Sequence, residues 1–210
     1  MKVTHSLFAL LLIHASAQGA VVMLDPTFVS CTAPLLNGTT SYQNIVNQSG
    51  LSTGYTNQVT PLATFLAAAP TSGLPATNFT LTSGTTASYV FDLGASANLA
   101  NVVFWNSISG AGNRAATFSV KVSDTSSFTT STALGTFTTS TSNPSYPVAA
   151  EVYTLAPAVG RYVQVDLTNA GGTAVTFGEI AFAGTIPEPS STALLGGLGL
   201  LAFARRRRLG

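Results

Sequence analysis

Phe118, Val120 and Val122 alternate with Ser119, Lys121 and Ser123, and Tyr89, Phe91 and Leu93 alternate up to Gly94. Successive side chains of a β-strand point to opposite faces, so a period of two gives each segment one dry face and one wet face. A helix would scatter the same apolar set around its axis, because its faces return every 3.6 residues. Asn101-Val-Val-Phe-Trp-Asn106 is apolar on both faces, the pattern of a central strand covered from both sides. The wet faces carry few ions: charged residues are 7% of the chain, so solubility rests on Ser, Thr, Asn and Gly.

Further strand segments follow at Leu134–Thr138, at Glu151–Leu155 and Arg161–Leu167 on either side of a Pro157 and Gly160 turn, and at Thr176–Ala183 before Gly184. No convincing amphipathic helix lies between them. This spacing predicts an all-β fold, an antiparallel sandwich. Leu62–Ala69, richer in Ala and Leu, reads either as one or two helical turns or as a covering loop. Ser123–Ser145, crowded with Ser and Thr, reads as flexible connections around one short strand.

Five segments stand in a telling order: Tyr89-Val-Phe-Asp-Leu-Gly94, Val102-Val-Phe-Trp105, Phe118-Ser-Val-Lys-Val-Ser-Asp124, Gly160-Arg-Tyr-Val-Gln-Val165 and Phe177-Gly-Glu-Ile-Ala-Phe-Ala-Gly184. Together they resemble the successive strands of a discoidin-type, galactose-binding-like jelly roll. The resemblance covers residues 86–184. It implies an eight-stranded jelly roll that binds glycans through loops at one end, commonly with a structural calcium. On that basis Glu179 stands where a carboxylate helps to hold calcium, and it is the candidate ligand. Residues 22–83 lack such landmarks, although family loops there usually carry ligand and metal contacts.

The two ends of the chain read as addresses. Lys2, the apolar stretch Leu7–Ile13 and Ala15-Ser-Ala17 form a secretory signal peptide over residues 1–17. The cut is expected after Ala17, with Ala20 the alternative. At the other end Ile186-Pro-Glu-Pro-Ser-Ser-Thr192 leads into an apolar run to Ala204 and then into Arg205, Arg206, Arg207 and Arg208. A helix over about 191–204 rises ~1.5 Å per residue and reaches only about 20 Å, against a hydrocarbon core of about 30 Å. The four guanidinium groups can snorkel and hold that end on the cytoplasmic side. This order of parts over residues 185–210 resembles the PEP-CTERM sorting signal of Gram-negative bacteria. The resemblance implies that Pro187, Glu188 and Pro189 are recognised and cut by an exosortase-type membrane protease, after transient anchoring in the inner membrane.

Setting both ends aside leaves roughly 165 residues, one domain over residues 22–184. Its cations are Arg114, Lys121 and Arg161, and its acids are Asp25, Asp92, Asp124, Glu151, Asp166 and Glu179. Three against six makes the body mildly acidic, which excludes the basic footprint of a nucleic-acid partner. Both histidines, His5 and His14, belong to the signal peptide. The body therefore cannot build Ser-His-Asp or Cys-His nucleophile activation or a His-based metal site. Cys31 is the single cysteine, so no intrachain disulfide braces the fold. Only carboxylate-pair chemistry stays open.

Asp92 before Gly94 reads as a turn carboxylate, and Arg161 as the partner of a nearby acid. Trp105, inside an apolar strand, reads as core. Tyr42, Tyr55 and Tyr146 lie in polar or proline-containing stretches and are the exposed candidates for stacking on sugar rings. The expectation is an exported, non-enzymatic surface or matrix protein whose body recognises carbohydrate, with signal peptidase and an exosortase as processing partners. Two alternatives stay open: a secreted carboxylate-dependent glycan-cleaving enzyme, and a purely structural or adhesive surface protein.

Overall fold

A computed structural model describes residues 19–36, 41–72, 80–107, 112–140 and 147–186. In chain order it contains β1 (Val22–Leu24), β2 (Thr27–Cys31), a 3-10 turn (Tyr42–Ile45), α1 (Leu62–Ala67) and β3 (Thr71–Ser72). There follow β4 (Thr80–Ser83), β5 (Thr86–Asn106), β6 (Ala115–Ser123) and β7 (Thr132–Thr138). The chain then forms β8 (Val148–Ala149), β9 (Glu151–Asn169) and β10 (Ala174–Thr185).

Two strands are far longer than their sequence segments suggest. Tyr89–Leu93 and Asn101–Asn106 belong to one 21-residue strand, β5, and the two segments around Pro157 belong to one 19-residue strand, β9. The turn expected at Pro157 and Gly160 is a bend within β9. Each long strand bends, and the β5–β9 register slips between Asp92 and Ala97 and again between Leu99 and Asn101. Gly94 sits at the first slip with φ +78, a conformation costly for side chains other than glycine's. A Cβ on Gly160 would lie 2.5 Å from Val122 Cγ2.

The bends let each long strand serve both layers of a sandwich. The first half of β5 pairs with β2 and with the second half of β9, which pairs onward with β6 and then β7. The second half of β5 pairs with the first half of β9 on one side and with β10 on the other. β10 is flanked in turn by β4 at its start and β1 at its end. All these pairings are antiparallel, which establishes the jelly-roll sandwich. The layers meet through aromatic rings: Tyr89 on Phe177 at 5.2 Å, Phe104 on Phe118 at 5.3 Å and Phe91 on Phe182 at 5.6 Å between centroids.

The doubly apolar Asn101–Asn106 segment behaves as its pattern requires. Val102 and Phe104 enter the sandwich core, while Val103 and Trp105 face outward into a second cluster with Met23, Tyr55 and Phe65. The cover is the chain before β5, which carries no strand pattern of its own. Leu62–Ala67 forms the short helix and lays Phe65 on Trp105, at 6.1 Å between centroids. Trp105 is wholly buried and its Nε1–H donates to the Pro70 carbonyl at 3.2 Å, so it is core.

The two ends of the sandwich differ in what they hold. At one, the proximal end, lie both described chain ends, since Val22 pairs with Gly184 and Thr185 with Asn98. The bends of β5 and β9 are there too. At the other, the distal end, β5 begins opposite Thr168 and finishes opposite Phe177. Around it lie the described connecting residues 84–85, 107, 112–114 and 170–173.

Candidate binding surface and sorting tail

The distal end is built from amides. Asn113 Oδ1 accepts from Thr173 N at 3.1 Å and Ala174 N at 3.2 Å, fastening the β5–β6 connection to the start of β10. Asn169 Nδ2 donates to the carbonyls of Gly172 and Ala174, each at 2.8 Å, and its Oδ1 receives the Gly171 amide. Gly172 N reaches Gly112 O at 2.8 Å, and a Cβ on Gly172 would fall 2.1 Å from Asn113 Oδ1. Glycine is therefore required at this crossing. The result is a braced rim rich in amide groups, with Arg114 as the one charged residue among those described. Sequence reading missed these residues, and their only signal was the density of Asn and Gly at two sites separated by β6 and β9.

A second polar arrangement lies on the outer side of β10. Asn47 Oδ1 accepts from Ser49 N and Oγ, closing a tight turn that holds Gln48 at φ +59. Gln48 then joins three parts of the molecule. Its amide N–H donates to Glu179 Oε1 at 2.5 Å, its Oε1 accepts from Tyr55 N at 2.8 Å, and its Nε2 donates to Asp25 Oδ1 at 3.4 Å. Glu179 is only 1% exposed, and among the described residues its Oε2 has no hydrogen-bond partner. Burial pushes its carboxyl up to about 8; the Gln48 amide opposes the rise and the nearby Asp25 charge adds to it. Burial also raises Asp25, and it carries Tyr55 well above the ordinary tyrosine value.

The acid side chains described around Glu179 do not by themselves make a calcium site. The orphaned Oε2 could take a cation, but calcium needs about 6 to 8 oxygens around it. What faces Glu179 Oε1 and Asp25 here are N–H donors of Gln48, and among the described residues no group of three acid, His or Cys side chains assembles. Glu179 forms one end of a hydrogen-bonded clasp centred on Gln48.

The other acids are spread out, and three of them are engaged locally. Arg161 Nε and Nη2 each donate to Asp92 at 2.8 Å, and Asp92 Oδ1 also accepts the Gly94 amide at 2.7 Å. The Arg161 hydrogen bonds hold this carboxyl below the usual range. Both residues therefore brace the β5 bend, as their sequence context suggested. Glu151 Oε2 accepts from Tyr153 Oη and from Ser140 N, and Asp166 accepts from Gln164 Nε2 and pairs with Lys121 at 3.8 Å. A groove of about 390 Å³ at the proximal end, lined by Asn98, Asn101, Thr154 and Thr185 among others, contains no acid. A smaller one of about 170 Å³ holds Asp124 as its single acid.

The tyrosines part company. Tyr55 is buried, 5.3 Å from the Phe65 ring in the second cluster, so the exposure expected of it is not realised. A polar stretch of sequence became the cover over an apolar sheet face. Tyr42 is half-buried with one ring face stacked on Phe28 at 4.6 Å, and its hydroxyl donates to Ala33 O at 2.5 Å. Tyr146 lies outside the described residues, as do residues 1–17, Pro187, Glu188, Pro189 and Arg205–Arg208.

β10 runs without interruption to Thr185, and Ile186 still packs against the sandwich core. The tail follows directly, and residues 185–208 match the model of the PEP-CTERM protein-sorting motif. The chain carries a PEP-CTERM sorting signal. Such a signal implies export and sorting to the cell surface by an exosortase-dependent route. No curated protein sequence matches this chain.

The body is similar in fold to discoidin-like carbohydrate-binding modules of family 32. One likeness is to a putative chitobiase fragment of Bacteroides thetaiotaomicron, at 14% identity and TM-score 0.55, covering 83% of this chain and 98% of that one. Another is to the family 32 module of C. perfringens NanJ, solved with galactose, at 10% identity and TM-score 0.53, covering 78% and 99%. A third is to a family 32 module of Clostridium perfringens solved with GalNAc-β-1,3-galactose, at 9% identity and TM-score 0.52, covering 76% and 98%.

Proposed function

We propose that this is an exported, non-catalytic surface or matrix protein whose jelly-roll body binds extracellular carbohydrate and whose tail is removed during sorting. The observation that carries the reading is the direct joining of a PEP-CTERM signal to a body with the fold of carbohydrate-binding modules. Signal peptidase would remove residues 1–17, and an exosortase-type protease would recognise Pro187, Glu188 and Pro189. Arg205–Arg208 would stop the tail in the inner membrane until that cut. A neutral surface rich in hydroxyls and amides suits hydrogen bonding to sugar hydroxyls. Tyr42 and Tyr146 are the candidate stacking contacts; Tyr55, being buried, is withdrawn from that role. The dispersed acids weigh against glycan cleavage, which needs two carboxylates flanking one bond.

A glycan array run with the exported body should show binding that weakens about tenfold or more when Tyr42 or Tyr146 is replaced by Ala, if each contributes a stacking contact of ~1.4 kcal/mol. A flat array would favour the purely adhesive reading. Mass spectrometry of the surface form should give a new C-terminus near Glu188, and an intact Arg tail there would overturn the processing step.

A further inference from the structure

The sorting signal begins inside the fold. The matched residues start at 185, and Thr185 is the last residue of β10, paired with Asn98 and one position beyond the Gly184–Val22 pair. Ile186 is packed against the core. Only residues 187–191 separate it from the apolar run that starts at Thr192. Five residues, even fully extended at ~3.5 Å each, reach about 17 Å. A body of roughly 165 residues has a radius of gyration of about 15 Å and so measures about 40 Å across. The tether is thus shorter than half the width of what it holds.

We infer that, while the tail is in the membrane, the body stands upright on the bilayer, its proximal end against the lipid headgroups and its distal amide rim pointing away. This rests on the proposed reading of the tail as a membrane stop. A body held by so short a link cannot turn its distal end to the bilayer, because Thr185 would then have to lie about 40 Å from the surface. The chemistry of the proximal end agrees with a headgroup partner. It presents the amides and hydroxyls of Asn98, Asn101, Thr154 and Thr185, and its Asp92 carboxylate is already neutralised by Arg161. Asp124, exposed beside Val159, forms no ion pair among the described residues, so the surface that fits this end is zwitterionic rather than anionic; the tether supplies the proximity that affinity would otherwise need.

The orientation assigns roles to the two ends. The groove beside Asn98 faces the membrane, so polysaccharide outside the cell meets the rim whose described residues are 84–85, 107, 112–114 and 170–173. The cut near Glu188 also falls within two residues of a core-packed side chain. A protease that takes an extended substrate must therefore approach along the bilayer surface, beneath the body.

The test uses the full chain in vesicles carrying a headgroup-linked acceptor dye, in a Cys31→Ser background with a donor on Ser96→Cys or Thr85→Cys. Both positions are exposed, the first at the proximal bend and the second at the distal end. Energy transfer should be strong from position 96 and at least several-fold weaker from position 85. Inserting fifteen Gly/Ser residues after Ile186 should erase the difference. Equal transfer from both positions in the unextended chain, or the reverse order, overturns the inference. A chain that does not float with the vesicles at all removes the membrane-stop reading and the inference with it. Backbone amide hydrogen exchange of the unsubstituted chain in vesicles gives an independent readout that needs no cysteine variant. Residues 94–98 should be protected relative to a tail-less body, and residues 170–173 should not; protection of neither overturns the inference.

Discussion

Asp92 and Glu179 are two carboxylates of one sandwich, handled in opposite ways. Asp92 sits at the β5 bend with a guanidinium across two hydrogen bonds and a turn amide on the same carboxylate, and its proton is lost readily. Glu179 sits under a loop with one amide donor and no cation, and holds its proton to about pH 8. The comparison shows which effect wins at each site: burial dominates at Glu179, while at the more exposed Asp92 the Arg161 hydrogen bonds outweigh it.

The largest expected effect comes from pH. Glu179 binds its proton more tightly in the folded chain than in the unfolded one. Its contribution is therefore fully present below about pH 4.5 and is lost as pH rises toward about 8. Chemical denaturation across that window should show stability falling by a few kcal/mol, on the order expected for a shift of ~3 pK units. Glu179→Gln should flatten the decline and be the more stable protein at pH 9; a wild-type curve flat from pH 5 to 9 would break the contrast. Next in size, Glu179→Ala removes the acceptor of the partly buried Gln48 amide and should cost about 1–2 kcal/mol at pH 6 by the same assay.

Asp92→Asn tests the other member. Its carboxyl is lowered by Arg161, so its contribution is present above the unfolded value near pH 4 and disappears as pH falls further. The pair is partly exposed, and the substitution should cost about 1 kcal/mol at pH 7 and nothing at pH 2. An equal cost at both values would mean that Asp92 acts through packing rather than charge. The smallest expected effect is that of calcium. Adding it, or removing it with a chelator, should leave the melting temperature of the body unchanged within a degree, because Gln48 places N–H donors where a metal needs oxygens. A rise of several degrees would restore Glu179 as a metal ligand.

The strands with one wet face were legible because each carries its partner information in its own alternation: Phe118 to Val122 and Tyr89 to Leu93 lie where the period of two puts them. The doubly apolar Asn101–Asn106 segment announced a second cover without saying what it was. The cover came from residues whose apolar side chains, Met23, Tyr55 and Phe65, are far apart in sequence and have no common period. Tyr55 was misread for that reason, since a polar neighbourhood along the chain says nothing about the sheet face lying beneath it. Pro157 was read as a stop, but a bend in a long strand accommodates a residue without an N–H. Gln48 gave no signal: each of its three hydrogen bonds depends on a different part of the fold.

By itself the sequence determined the class of fold, the absence of histidine chemistry from the body and the sorting signal at its end. These depend on residue type and local order, which folding does not alter. Tertiary structure decided which acids are neutral, that Asp92 is paired while Glu179 is clasped, and that the sorting signal starts within the last strand with no slack before it. Those outcomes depend on distances between residues as much as 131 positions apart, such as Gln48 and Glu179, and only the closed sandwich fixes such distances.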